Sequence, residues 1–200
     1  SVAVAGSLVQ WVRDNLNLVK DAQELDALAE SVSDTAGVYI VPAFSGLFAP
    51  WWRSDARGVI AGLTGYATKA HICRAVLEAT AFQVKDICEA MESDSGILLT
   101  ELRVDGGLTN SRPLMEFQAD VLGIPVVRPE VVETTALGAA YAAGLTVGVW
   151  RDKKELKAHW KVALRWTSHM DAEERERKLS YWLKAIERTL DWAPAESTGA

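Results

Sequence analysis

The sequence predicts an α/β protein, with a mixed sheet flanked by helices. Three observations lead there. Across residues 100–148 strand-like and helix-like stretches alternate, the pattern of parallel strands joined by crossover helices, and the span holds two such units. Ahead of it, short apolar runs near 1–5, 37–43 and 57–63 are expected to add two or three antiparallel strands to the same sheet. Between lies a stripe of Cys73, Leu77, Val84, Ile87, Cys88 and Met91, widened by Ile72, Val76, Ala79 and Phe82. That spacing makes a helix from Thr68 to about Met91, long enough to be the central packing element.

Gly6 and Ser7 lead into Leu8, Val9, Trp11, Val12, Leu16 and Leu18, an amphipathic helix with Ser7 as N-cap. Gly6 then sits at a helix start, and Gln10 projects one turn in. Asp21 to Ser33 reads as a second, acidic helix. The strand at 37–43 is stopped by Pro42, and the irregular stretch after it carries Trp51 and Trp52, expected at the core edge or in a subunit contact. After the strand at 57–63 and the long helix, Ser95-Gly96 turns the chain into a strand at 101–104. A helix from Pro113 ends at Gly123, and Ile124 to Val127 forms a strand whose internal Pro125 suits a sheet edge or a first position.

Thr134 and Thr135 cap a helix rich in Ala and Gly (Ala136 to Gly144), small enough to lie close against a neighbour or to admit a flat ligand. From Arg151 the texture becomes charged and helical, with Asp171 and Glu174 as a capping box and Leu179, Trp182, Leu183, Ile186 and Leu190 as a docking face. The expected organisation is one domain over 1–150, helices packed on it over 151–192, and a frayed end at 193–200.

A net charge of −6 lacks the concentrated basic face that nucleic acid or an anionic membrane requires, so an anionic ligand must be gripped locally. The longest uncharged apolar run, Thr134 to Trp150, is broken by three glycines and is too short for a membrane span. No signal-peptide pattern opens the chain, whose first residue, Ser, suggests a processed or cut start. Cys73 and Cys88 fall in one helix, roughly 22 Å apart at about 1.5 Å per residue, so they are expected to be free thiols in a cytoplasmic protein. His71, His159 and His169 show no metal-ligand spacing. No metal site is expected from side chains of this chain alone.

The candidate site is Asp105-Gly106-Gly107-Leu108-Thr109-Asn110-Ser111, between a strand end and a helix. Paired glycines permit a tight turn, and the amides of Gly106, Gly107 and the following turn could hold an anion aided by the helix dipole. Asp105 could face a metal or its bound water. A purely structural turn remains the alternative. Gly6 with Gln10 is the second candidate, against a plain solvated helix.

These residues resemble the FGGY carbohydrate kinases. Gly58-Val59-Ile60-Ala61-Gly62-Leu63, seven residues, and His71-Ile72-Cys73-Arg74-Ala75-Val76-Leu77-Glu78 fit the family's C-terminal signature at every position. Gly37 to Leu47, Val127 to Glu130 and Glu133 to Ala140 resemble the branch that acts on glycerol. The resemblance implies an actin-like, ribonuclease-H-like domain that binds ATP with Mg2+, partnered by a preceding FGGY domain that supplies the catalytic base and most of the glycerol pocket. No catalytic residue is then expected in this chain, and a homo-oligomer is. By position, Gly6 and Gln10 match phosphate contacts and Gly107 a glycine in the adenosine-side loop. Where the family usually has asparagine, this chain has Ser111 with Asn110 before it, so either could meet the adenosine. A kinase for another polyol such as xylulose, and a non-catalytic actin-like module, are the alternatives.

Overall fold

The computed structural model describes residues 2–194. In chain order its elements are α1 (Gly6–Asp14), α2 (Ala22–Glu30), β1 (Tyr39–Val41), β2 (Val59–Ala61), α3 (Lys69–Ser95), β3 (Leu102–Arg103), a 3-10 turn (Gly107–Asn110), α4 (Arg112–Leu122), β4 (Val126–Pro129), α5 (Thr134–Thr146), α6 (Lys153–His159), β5 (Val162–Trp166) and α7 (Ala172–Glu187).

The long stripe makes the expected central helix. Thr68 donates its N–H to Nδ1 of His71 at 3.0 Å, closing the first turn of α3, and Gly96 ends it in the left-handed conformation. Cys73, Val76, Leu77 and Phe82 are buried along its length, with α2 and α4 packed against it. Met91, at the far end of the stripe, is exposed. Trp182 of α7 stacks on Phe82 at 5.0 Å, and Phe117 of α4 meets Phe82 edge-on at 5.4 Å. Burying each ring contributes about 1.5–3 kcal/mol, so this triad joins three helices into one core.

The strands divide differently from expectation. Val2 to Ala5 form no strand. β1 and β2 pair antiparallel as a separate two-stranded sheet, Ile40 opposite Ile60. β1 packs on α3 and α7 and does not pair with β3. The second sheet is mixed, in the order β3-β4-β5. β3 and β4 are parallel and joined through α4, but among the described residues this is the one crossover, since β5 returns antiparallel with Val126 opposite Trp166. β4 is therefore the middle strand. Pro125 precedes it and needs no N–H in the ladder, while its carbonyl accepts from the Leu102 N–H at 2.8 Å.

β5 also corrects the reading of 151–192 as helices alone. Val162, Leu164 and Trp166 alternate with Ala163 and Arg165 at strand period, a signal short enough to be lost among the surrounding charges. The stretch belongs to the same body: β5 extends the sheet, Trp160 lies under the Arg103 guanidinium at 4.1 Å, and α7 carries Trp182 into the core. Asp171 caps α7 by accepting from the Glu174 N–H at 2.8 Å, as its spacing indicates. Of the expected frayed end, 195–200 lie outside the described residues, and Ala193 donates its N–H to the Asp55 carbonyl at 2.9 Å.

α5 departs most from expectation, beginning with Glu133 at the N-cap, without a side-chain hydrogen bond, and Thr134 and Thr135 already inside the first turn. Close packing occurs at one place, where Gly144 lies beneath the Trp150 ring so tightly that any Cβ would collide with ring carbons. The rest of α5 is exposed or half-buried, without extensive contact to another helix or strand of the described residues. Apolar all round, it has no preferred face to direct it. The tryptophan pair also separates: Trp51 is half-buried and donates from Nε1 to Asp86, whereas Trp52 is 73% exposed.

Candidate functional site

The glycine turn grows directly out of the sheet. Val104 donates its N–H to the Val127 carbonyl at 3.0 Å, prolonging the β3–β4 ladder to the edge of the turn. Gly106 then adopts φ 83 and ψ 175, a region that residues with a Cβ avoid. Its N–H donates to the Val132 carbonyl at 3.1 Å, and its carbonyl accepts from the Thr109 N–H and from Thr109 Oγ1. Gly106 is thus the hinge of the loop, and its amide, one of the donors expected for a ligand, is already occupied.

Gly107 is placed differently. A Cβ added there meets nothing within 4 Å, and neither its N–H nor that of Leu108 has an acceptor among the described residues. Both residues line a cleft of about 210 Å³ with Asn110, Ser111, Val9 of α1, Leu77 of α3, and Ala22, Gln23, Leu25 and Asp26 of α2. Free backbone donors on a concave surface suit an anionic group.

Ser111 caps α4, its Oγ accepting weakly from the Leu114 N–H at 3.4 Å and donating to Asp26 Oδ1 at 2.7 Å. Asn110 accepts from Arg128 Nη1 at 2.8 Å, and the same nitrogen reaches the Thr109 carbonyl at 3.3 Å. Arg128, from β4, therefore holds the loop from behind, with its own Nε buried and unpaired. Both candidates at the departure from the family pattern face the cleft, each with its oxygen engaged. Asp26 and Arg128 are neighbours of the loop that sequence reasoning missed. Asp26 lies among several acids of an amphipathic helix, and nothing local separates it from solvated ones. Burial pushes its carboxyl above the usual carboxylate range, the Ser111 hydrogen bond opposes that, and Glu30 one turn on adds to it.

α1 begins at Gly6, not after a Ser7 cap: Ala5 occupies the N-cap position without a side-chain hydrogen bond, so Ser7 already lies inside the first turn. The N–H groups of Gly6 and Ser7 have no acceptor among the described residues. Gln10 is exposed. Gly6 and Gln10 do not line the cleft themselves. They flank Val9, which does, and at spacings of three and four residues Gly6, Val9 and Gln10 share one side of the helix. α1 thus reaches the cleft through Val9, while its glycine-led start lies outside the lining and the two helix starts do not close on a single point. Asp105 is exposed at the end of β3. Among the described residues no group of three or more His, Cys, Asp or Glu is placed to hold a metal ion, and no helix is long and apolar enough to cross a membrane.

Residues 1–147 match the model of the FGGY family of carbohydrate kinases, C-terminal domain. Over 192 residues the chain is 60% identical to a glycerol kinase of Paenarthrobacter aurescens and 62% identical to one of Clavibacter michiganensis. In both cases 96% of this chain is covered but only 38% of the relative. Among solved structures it is similar to Plasmodium falciparum glycerol kinase with ADP, at a TM-score of 0.85 and 42% identity over 95% of this chain and 38% of that one. The fold is shared with a ligand-bound xylulose kinase from Lactobacillus acidophilus, TM-score 0.76 at 20% identity.

Proposed function

The chain belongs to the FGGY family of carbohydrate kinases, and from that premise we propose that it is the nucleotide-binding C-terminal part of a glycerol kinase. The whole enzyme would transfer the γ-phosphoryl group of ATP to glycerol, giving sn-glycerol 3-phosphate. The chain spans 38% of the length of the curated relatives it matches, which leaves room for a preceding domain carrying the base and most of the glycerol site. Identity near 60% to glycerol kinases favours glycerol over xylulose as substrate.

One observation carries the site: the Gly107 and Leu108 amides are free on a concave surface at the start of a helical turn. Phosphoryl transfer asks a protein chiefly for positioning and for stabilisation of spread negative charge. Fixed backbone donors do this without a basic side chain, in keeping with the acidic composition. The amides at Gly6 and Ser7, with Gln10, would serve the phosphate tail from the α1 side. Mg2+ would accompany the nucleotide, neutralising phosphate charge. A lone exposed carboxylate such as Asp105 suits an ion held mostly by phosphate and water. A cytoplasmic homo-oligomer completes the proposal.

The test is titration of the full-length protein with Mg-ATP, alongside Gly107→Val. A Cβ at Gly107 meets nothing within 4 Å, so the melting temperature should hold while ATP affinity falls by about tenfold or more, about 1.4 kcal/mol. Unchanged affinity would move the nucleotide elsewhere. Turnover on xylulose but not glycerol would overturn the substrate, and turnover by this chain alone would overturn the placement of the base.

A further inference from the structure

Resting on the nucleotide reading of the cleft, we infer that Asp26 reads the sugar of the bound nucleotide, accepting a hydrogen bond from a ribose hydroxyl. Asp26 stands on α2, outside the glycine loop, yet it lines the same cleft as Gly107, Leu108, Asn110 and Ser111. Its Oδ1 is fixed by the Ser111 hydroxyl at 2.7 Å, while its Oδ2 has no partner among the described residues. The loop thus brings amides without an acceptor to the cleft lining, and α2 brings a carboxylate oxygen without a donor, among the described residues.

Those two polarities sort the parts of a nucleotide. Phosphate offers only acceptors and belongs at the amides. The group covalently next to a phosphate is the ribose, whose hydroxyls are donors for a carboxylate. The Watson–Crick edge of adenine is a poorer match: its exocyclic amine donates, but its ring nitrogen sets a lone pair against the second carboxylate oxygen. The bond across 85 residues of sequence between Asp26 and Ser111 holds the acceptor at a fixed place relative to the loop. Asp26 would then set selectivity for ribonucleotides without taking part in phosphoryl transfer.

The experiment compares ATP, 2′-deoxy-ATP, 3′-deoxy-ATP and purine riboside triphosphate, which lacks the 6-amino group, as Mg2+ complexes with full-length wild type and Asp26→Asn. Wild type should bind ATP about tenfold or more tightly than at least one deoxy analogue, as expected of a hydrogen bond to a charged acceptor. In Asp26→Asn that preference should shrink to about threefold or less, with an unchanged melting temperature. Asp26→Ala, which leaves no acceptor, should abolish it. The same ribose preference in both variants, or a change that follows the 6-amino group instead, would overturn the inference. Wild type that binds ATP but ignores both hydroxyls would sink the role of Asp26 alone. Wild type that binds none of the four would sink the nucleotide site with it.

Discussion

Replacing Asp86 by asparagine should change how stability depends on pH. Asp86 is 8% exposed on α3, one turn after Phe82, and its Oδ2 accepts from Trp182 Nε1 at 3.0 Å and Trp51 Nε1 at 3.1 Å. Burial raises its pKa from 3.8 to about 6; the two indole hydrogen bonds and Lys85 oppose that rise, and Glu89 adds to it. A folded-state pKa above the unfolded one means that the folded protein holds the proton more tightly. The stabilisation is complete below the unfolded value of 3.8 and is lost as pH climbs to the folded value of about 6. A shift of roughly two units at 1.36 kcal/mol each makes the whole loss about 3 kcal/mol. Asparagine cannot titrate. Between about pH 4.5 and pH 7 the stability of Asp86→Asn relative to wild type should therefore rise by about 2 kcal/mol, then level off. Urea unfolding followed by tryptophan fluorescence reads this directly, because two indoles contact the group. Two stability curves that stay parallel across that range would refute the reasoning from burial.

Gly106→Ala forces a side chain into the φ 83, ψ 175 conformation and should cost about 1–3 kcal/mol, seen as a lower melting temperature. Gly107→Ala should melt within about 0.5 kcal/mol of wild type, the contrast between hinge and open position. Arg128→Met should weaken ATP binding several-fold although Arg128 does not line the cleft, because the loop loses its support at Asn110 and Thr109. A double-mutant cycle with Asn110→Ala should show coupling of about 0.5–3 kcal/mol, and strictly additive effects would deny that Arg128 acts through Asn110.

The features legible in the sequence are local ones. The stripe that builds α3, the Gly123 stop of α4 and the Asp171 cap of α7 depend on residues three or four apart, where sequence spacing and spatial neighbourhood coincide. The same holds for the glycine turn, since a strand, two glycines and a helix start lie within ten residues. The features that escaped were non-local. Which strands share a sheet, that β4 lies in the middle, and that β5 exists among charged helices all follow from pairings between distant segments. The small residues of α5 showed that close approach was permitted, and could not say that Trp150 makes it over Gly144.

The sequence by itself determined the family and the glycine-led turn, because these are written in contiguous residues. Only the tertiary structure decided which amides remain free. Gly106 loses its own to Val132 while Gly107 keeps one, a difference set by backbone direction rather than residue type. It also decided that Asp26 and Arg128 attend the loop from α2 and β4. A hydrogen bond of 2.7 Å between residues 85 positions apart leaves no trace in local composition, since it exists only once the core has brought the two helices together.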